Sequence, residues 1–273
     1  MQNERSLGKD AKIYIGTSGY SYRDWIGPFY PAGTRQDQML SFYAEEFSFA
    51  EVNSTFYHLP SARMFEGMLK KVPEHFLFTV KAFQGLTHRR GDAVREEAVR
   101  MVEALKPLSA GGRLGALVLQ FPFSFKANRE NREYLQSLRE WLTGLPVVVE
   151  FRHKSWLGRD TSSLLHALGM GFVCVDTPGL KGLPGGAVQA TASVGYVRFH
   201  GRNTATWWRH EEAWERYNYL YTEEELSEWV PRIAFLAGKC ERVFVAFNNH
   251  FGAQAVRNAR MLKRILGSRA SQP

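Results

Sequence analysis

The seven residues Pro146–Arg152, PVVVEFR, show the pattern that decides the fold: a short run of β-branched residues that ends in charged side chains. Runs that are apolar at consecutive positions are typical of parallel strands buried on both faces. Seven further runs of this kind follow one another along the chain. They are Lys12–Gly16, Phe49–Asn53, Phe76–Lys81, Gly115–Gln120, Phe172–Asp176, Val194–His200 and Val243–Asn248.

Most segments between these runs have helical spacing and a recognisable helix start. Thr222 and Glu225, for example, have the spacing of a capping box. The predicted helices are Arg35–Glu46, Ser61–Lys71, Asp92–Lys106, Asn128–Leu142, Thr161–Leu168, Thr222–Ala237 and Gly252–Leu266. Strands alternating with helices imply parallel crossovers, and eight such units in about 250 residues predict a closed (β/α)8 TIM barrel.

An open doubly wound sheet is the alternative fold. Such sheets usually carry a glycine-rich first turn that binds a dinucleotide, and the turn after the first run, Gly16–Gly19, lacks the GxGxxG spacing. The 273 residues, 44% hydrophobic and 23% charged, suit one large α/β domain. We therefore expect a single TIM-barrel domain over residues 1–273, with a core from about 12 to 266 and an insertion at 201–221 over the barrel mouth.

A cytoplasmic location without membrane contact is the expectation from composition. No run approaches the ~18 apolar residues of a membrane helix. The first ten residues, MQNERSLGKD, have no apolar signal core. Cys174 and Cys240 each stand alone among apolar residues, as reduced core cysteines do.

Polar residues close nearly every predicted strand, and in this fold the catalytic groups lie at the carboxyl ends of strands. These residues are Glu51, Asn53, Lys81, Gln120, Glu150, Arg152, Asp176, Arg198, His200, Asn248 and Asn249. Residues i and i+2 of a strand share a face, so Glu150 with Arg152 and Arg198 with His200 are same-face pairs. Tyr20 and Trp156, in loops after strands, complete the set of candidate ligand-binding residues.

These residue types predict a polar ligand site with acid/base chemistry. We expect Glu150, Glu51, Asp176 and His200 to be the catalytic groups. Glu150 should stay ionised beside Arg152, whereas Glu51 has no charged neighbour on its own strand and could remain protonated. The cations suited to binding an anion are Lys81, Arg152 and Arg198.

The net charge of the chain does not decide between a small molecule and nucleic acid as partner, and the strand-end residues do not decide whether a metal ion is bound. The net charge of +8 and a pI of about 9.5 favour anionic partners, either phosphorylated small molecules or nucleic acid. One divalent ion such as Mg²⁺ or Mn²⁺ could be held by a subset of the strand-end acids and histidines. That subset is Glu51, Glu150, Asp176, His200 and His250.

Several motifs resemble those of the YecE-like proteins, the domain of unknown function 72 family. They are GTSGY at 16–20, EVNSTFY at 51–57, VEFRHKSW at 149–156, RFHG at 198–201 and FNNH at 247–250. The resemblance spans nearly the whole chain and implies a TIM barrel. That barrel has been likened to endonuclease IV and the xylose-isomerase-like group, which is an analogy of fold alone. The QFPFS segment at 120–124 departs from the family pattern in lacking a second proline.

Three functions follow from these observations. The leading one is an enzyme of hydrolase, nuclease or isomerase type, acting on an anionic, phosphorylated, sugar- or nucleotide-like ligand at the strand ends. The first alternative is a nucleic-acid-binding protein or nuclease distantly like endonuclease IV. The second alternative is a small-molecule binding protein without catalysis.

Overall fold

The computed structural model describes residues 11–212 and 214–270. The first ten residues, on which the expectation of no signal segment partly rests, lie outside this described part. Within it, no helix has both the length and the apolar character needed to cross a membrane. Cys174 and Cys240 are both buried and unpaired.

Eight parallel strands form one sheet in the order β1-β8-β7-β6-β5-β4-β3-β2. The strands are β1 (Lys12–Thr17), β2 (Phe49–Val52), β3 (Leu77–Lys81), β4 (Leu114–Gln120), β5 (Val147–Glu150), β6 (Gly171–Asp176), β7 (Val194–Phe199) and β8 (Arg242–Phe247). Each lies within one or two residues of the run that predicted it.

The sheet closes between β1 and β2, where Ser18 bridges to Glu51 and the Gly19 N–H donates to the Glu51 carbonyl over 2.8 Å. Gly16 permits this close approach, because a Cβ at that position would lie 2.4 Å from the carbonyl oxygen of Phe49. The protein is therefore a (β/α)8 TIM barrel, as the sequence predicted.

Helices surround the barrel. They are α1 (Met39–Glu46), α2 (Ala62–Leu69), α3 (Val94–Ala110), α4 (Arg129–Trp141), α5 (Arg159–Ala167), α6 (Glu223–Ser227), α7 (Val230–Ala237) and α8 (Gln254–Ala270). The capping box of Thr222 and Glu225 is present at the start of α6. The predicted helix Thr222–Ala237 is in fact two helices, since Pro231 opens the first turn of α7.

Two further helix predictions need correction. The first helix begins at Met39 and not at Arg35, because residues 36–38 form a turn. Asp92 does not cap α3, which continues through Pro107 to Ala110. The crossover from β6 to β7, residues 177–193, is described throughout and contains no helix.

Two apolar layers pack the barrel, one inside it and one between strands and helices. Inward-facing residues form the inner layer, which includes Phe49, Val148, Tyr196 and Phe244. Because side chains alternate along a strand, every second residue after these also faces the barrel axis. The inner layer thus gives way to polar side chains at the carboxyl ends of the strands.

Candidate functional site

A cavity of about 790 Å³ lies at the carboxyl ends of the strands. Its floor is formed by inward-facing strand-end residues, and its rim by loops and by the segment 201–221. The floor residues are Glu51, Asn53, Lys81, Gln120, Arg152, Arg198 and Asn248. The rim is rich in aromatic rings, which are Tyr20, Tyr22, Phe56, Tyr57, Phe123, Trp207, Trp208, Trp214 and Tyr217.

Arg198 lies between two buried carboxylates from opposite sides of the barrel. Its Nη2 donates to Glu51 Oε1 over 2.6 Å, and its Nη1 donates to Glu150 Oε2 over 2.5 Å. Glu51 and Glu150 are fully buried, and Arg198 is 1% exposed. Each of these buried groups therefore has an oppositely charged partner within hydrogen-bond distance, which offsets the cost of removing it from water.

Glu150 is also bound by Arg152, whose Nε donates to Glu150 Oε1. Burial raises the pKa of Glu150, but the cations of Arg152 and Arg198 outweigh it and hold that pKa well below the usual range. Glu150 therefore stays ionised. We call the four residues Glu51, Arg198, Glu150 and Arg152 the arginine–carboxylate network.

His200 adjoins this network as a neutral base. Its Nε2 lies 3.1 Å from Glu150 Oε1, and its Nδ1 lies 3.1 Å from the side-chain amide nitrogen of Asn248. With the Asn248 amide donating to Nδ1, the ring proton is on Nε2, which is buried and has no well-aligned hydrogen-bond acceptor among the described residues. Burial, and then the neighbouring Arg152, lower the pKa of His200 to about 3.

Glu51 also has a full set of partners. Besides Arg198, it accepts a 2.8 Å hydrogen bond from the hydroxyl of Tyr196, which lies 2.7 Å from Thr79 Oγ1. The expectation that Glu51 could remain protonated rested on its lack of a charged neighbour along β2. The closed barrel brings Arg198 against it from β7, so that reasoning does not hold.

Lys81 is the cation of the floor that lacks a carboxylate partner. Within the described residues its Nζ has no ion pair or hydrogen bond, and it lies 4.1 Å from the ring centroid of Phe56. Burial, with Arg198 and Arg152 nearby, lowers the pKa of Lys81 to about 8. Its ammonium group is therefore available to a ligand.

Tyr217 is a site residue that the strand-end pattern did not identify. It lies in the segment 201–221, lines the cavity, and its hydroxyl interacts with the Arg152 side chain. Burial raises the pKa of Tyr217, but Arg152, Arg216 and Lys81 outweigh it and bring that pKa to about 8. A tyrosine in this setting can take up or release a proton near neutral pH.

Asp176 does not face the cavity, which corrects its placement at the barrel mouth. It follows Val175, which points inward, so its carboxylate points outward. There it accepts hydrogen bonds from Tyr221 Oη and Trp229 Nε1, both over 2.7 Å, and pairs with Arg202 over 2.9 Å. Asp176 thus anchors the base of the segment 201–221 to the barrel.

Four other candidates also lie outside the cavity lining. Glu150 and His200 are fully buried and do not line it, and the same holds for Trp156 and Asn249. Trp156 is fully buried, stacks on Phe151 at 4.2 Å, and donates from Nε1 to the Phe125 carbonyl over 2.7 Å. Asn249 is fully buried and donates to the Tyr219 carbonyl over 2.8 Å. Trp156 and Asn249 both stabilise the outer layer and loops.

The remaining candidates line the cavity with Lys81 and Arg152. Gln120 lies on the floor with its side-chain nitrogen 2.8 Å from the Phe121 carbonyl. Asn53 has a buried side-chain oxygen without a hydrogen-bond partner among the described residues. Tyr20 lies on the rim.

The acids and histidines named as candidate metal ligands do not converge on one point. Asp176 points away from the cavity, and the oxygens of Glu51 and Glu150 are occupied by Arg198, Arg152 and Tyr196. In the described part of the chain, no group of three or more His, Cys, Asp and Glu residues is arranged to hold a metal ion.

The fold and site together define the class: a TIM barrel with a charged, aromatic-rimmed cavity at the carboxyl ends of its strands. The chain belongs to the family described as "Protein of unknown function DUF72", which matches residues 14–273. The family expected from the sequence motifs is thus confirmed.

Relatives from three bacteria match over nearly the full chain. A DUF72 family protein of Thermotoga maritima is 39% identical, with a TM-score of 0.86, covering 94% of this chain and 99% of its own. One from Enterococcus faecalis is 26% identical, with a TM-score of 0.83, covering 93% and 95%. The UPF0759 protein YunF of Bacillus subtilis is 33% identical over 269 residues, 93% of this chain and 94% of its own.

Proposed function

We propose that the protein binds a phosphorylated or otherwise anionic, sugar- or nucleotide-like molecule in the mouth cavity and acts on it by acid/base chemistry. The observation that carries the proposal is Lys81, a cation on the cavity floor without a carboxylate partner among the described residues. An anion that enters the cavity would supply the missing partner.

The charge balance of the floor supports an anionic ligand. The two carboxylates of Glu51 and Glu150 face three cations, which are Arg198, Arg152 and Lys81. The neutral form of His200 adds no charge, so the floor keeps one uncompensated positive charge. In a concave site with low-dielectric walls, such a charge attracts anions more strongly than an exposed lysine does.

The groups suited to proton transfer are Tyr217 and Lys81. Each lines the cavity, and each has a pKa brought to about 8. Glu150 and Glu51, the acids first expected to react, would instead hold Arg152 and Arg198 in place. In this proposal the carboxylates are positioning residues, and the lysine and the tyrosine contact the ligand.

A ligand screen by isothermal titration calorimetry tests binding. The panel contains inorganic phosphate, sugar phosphates, nucleoside phosphates and their uncharged parent compounds. We expect binding of at least one phosphate ester by the wild-type protein, a loss of about tenfold or more in K81M, and no change in K154M. Lys154 is an exposed lysine outside the cavity and serves as the matched control. Equal affinity in K81M and the wild type would contradict the proposal.

Turnover separates an enzyme from a binding protein. Bound esters are incubated with the wild type and with Y217F, and products are followed by phosphorus NMR. We expect conversion by the wild type and a loss of 10²-fold or more in Y217F with binding retained. Tight binding without any conversion would favour the non-catalytic alternative.

A nucleic-acid ligand is the second candidate, favoured by the exposed aromatic rings at the rim. Tyr57 is 65% exposed and Trp208 is 49% exposed, and both line the cavity. Such rings beside a cationic floor can stack on unpaired bases. Binding of a short single-stranded oligonucleotide should then weaken steeply with salt and with Y57A. A flat salt response would exclude this ligand class.

The cytoplasmic location expected from the sequence is part of the same proposal. It is supported by the two buried, unpaired cysteines, Cys174 and Cys240, which are typical of a reducing compartment. Subcellular fractionation of a tagged full-length chain tests it, and recovery in a secreted or membrane fraction would contradict it.

A further inference from the structure

We propose that Lys81 is a nucleophile that forms a Schiff base with the aldehyde or ketone group of the anionic ligand. This inference rests on the anion-binding function proposed above and narrows its substrate class to carbonyl compounds that carry a negative charge. It assigns to Lys81 a covalent role in addition to charge pairing.

The position of Lys81 suits a nucleophile. It ends β3 on the inward face of the barrel and lines the cavity, and its backbone carbonyl accepts a 2.6 Å hydrogen bond from Thr55 Oγ1, which fixes the strand end. Its Nζ lies 4.1 Å from the ring centroid of Phe56. The amine is therefore held within the cavity but remains open to a ligand.

The surroundings of Lys81 raise its share of neutral amine, the reactive form, above that of an ordinary lysine, while the ammonium form that pairs with an anion still predominates at neutral pH. The charged and titratable groups that face it are Arg198, Arg152 and Glu150 from the network, Tyr217 from the rim, and His88 from the loop after β3. Burial and the two guanidinium groups disfavour a third positive charge, and they bring the pKa of Lys81 to about 8. Desolvation and a neighbouring cation are the two general ways of activating a lysine amine.

Glu51 and Glu150 favour the reactive amine of Lys81 because they are paired with arginine and not with the lysine. A carboxylate that bound Lys81 would hold it as an ammonium ion, but Glu51 and Glu150 both pair with Arg198. The arginine–carboxylate network thus holds the guanidinium groups of Arg198 and Arg152 near the Lys81 amine. It also keeps Glu51 and Glu150 from forming an ion pair with Lys81. Arg152 is left to contact the anionic group of the ligand from the cavity floor.

The reaction balances with groups that line the cavity. The Lys81 nitrogen lone pair attacks the carbonyl carbon, and the carbonyl π electrons move to oxygen, which takes a proton from the Tyr217 hydroxyl. The nitrogen of the resulting carbinolamine returns one proton to the Tyr217 phenolate. The carbinolamine hydroxyl then leaves as water with a second proton from Tyr217, as the nitrogen lone pair forms the C=N bond. The product is a protonated Schiff base, one water molecule and the Tyr217 phenolate.

Reductive trapping tests this role without knowledge of the natural substrate. The probe is pyridoxal 5′-phosphate, used only as an aldehyde that carries a phosphate group. The full-length protein is mixed with the probe at pH 7.5, reduced with sodium borohydride at successive times, and digested for peptide mass spectrometry. At pH 7.5 a pKa of about 8 leaves roughly a quarter of Lys81 as the neutral amine, against roughly 0.1% of an ordinary lysine with a pKa of 10.5. Lys81 should therefore be modified at least about tenfold faster than exposed lysines, even though a less basic amine is a weaker nucleophile.

Variants and competition distinguish this inference from the proposed function. K81M should lose the fast phase, K154M should keep it, and inorganic phosphate should slow it in the wild type. Modification of exposed lysines at the same rate as Lys81, or no adduct on Lys81, would overturn the nucleophile even where calorimetry shows phosphate binding. A fast Lys81 adduct that phosphate does not slow would leave the nucleophile in place and contradict the anion site.

Discussion

Replacement of Arg198 by methionine tests whether the barrel interior depends on the arginine–carboxylate network. The substitution keeps the length and apolar stem of the side chain but removes the guanidinium. Hydrogen bonds of 2.6 Å to Glu51 and 2.5 Å to Glu150 are lost, and both carboxylates are fully buried. Removing one member of a buried ion pair costs about 3–5 kcal/mol, because the remaining charge is left without compensation.

The expected loss for R198M is thus about 3–5 kcal/mol out of a total stability of about 5–15 kcal/mol. Glu150 retains Arg152, whereas Glu51 retains only the hydroxyl of Tyr196. The double variant E51Q/R198M removes the isolated charge, so it should recover about 1–2 kcal/mol relative to R198M.

Urea unfolding followed by tryptophan fluorescence measures these differences. The matched control is R260M, because Arg260 pairs with Glu46 at the surface and is half exposed. A surface pair of that kind contributes about 0–1 kcal/mol. If R198M loses no more stability than R260M, or if E51Q/R198M is no more stable than R198M, the description of the network as a set of mutually dependent buried charges is wrong.

Three further substitutions test separate parts of the structure. His200→Gln should reduce the loss of stability at acid pH. In the wild type the pKa of His200 is about 3 in the folded state and about 6.5 in the unfolded chain, so the unfolded state gains a proton first. The wild type should therefore lose about 1.4 kcal/mol of stability per pH unit below pH 6.5 from this residue, and H200Q should not. Urea unfolding of H200Q at pH 6.5 and 4.5 should show that slope reduced, and an unchanged slope would refute a neutral buried ring. Asp176→Asn should cost about 2–3 kcal/mol yet leave phosphate affinity unchanged at low temperature; a calorimetric loss of affinity would return Asp176 to the site. Gly16→Ala should cost about 1–3 kcal/mol because its Cβ meets the Phe49 carbonyl, and wild-type melting behaviour would contradict the close approach of β1 to β2.

The fold could be predicted from the sequence because one local rule recurs eight times: a short apolar run forms a strand, and alternate residues of that strand face the same side. The same rule placed the same-face pairs correctly where an inward-facing residue closes the strand. In β5, for example, Glu150 lies on the inward face with Val148, and Arg152, predicted to share that face, pairs with it. It failed for Asp176, because β6 is apolar on both faces and its pattern does not show which face its last residue takes.

The partners of each site residue could not be predicted, because they come from distant parts of the chain. Glu51 meets Arg198 only after the barrel closes, 147 positions later in the sequence. Tyr217 was missed because it lies in a long segment between β7 and α6 whose path has no periodic signal. The signal that could have identified Tyr217 is compositional: aromatic and basic residues crowd the segment 201–221.

Anomalous diffraction from crystals soaked in selenate shows whether the mouth cavity binds an anion, since selenate is tetrahedral like phosphate and its selenium gives an anomalous signal. We expect a selenium peak in the mouth cavity, placed so that a selenate oxygen lies within hydrogen-bond distance, about 3 Å, of Lys81 Nζ or the Arg152 guanidinium. This peak should be absent in K81M and retained in K154M. Selenium peaks confined to exposed surface residues, with the cavity empty at the same selenate concentration, would contradict the proposed anion site.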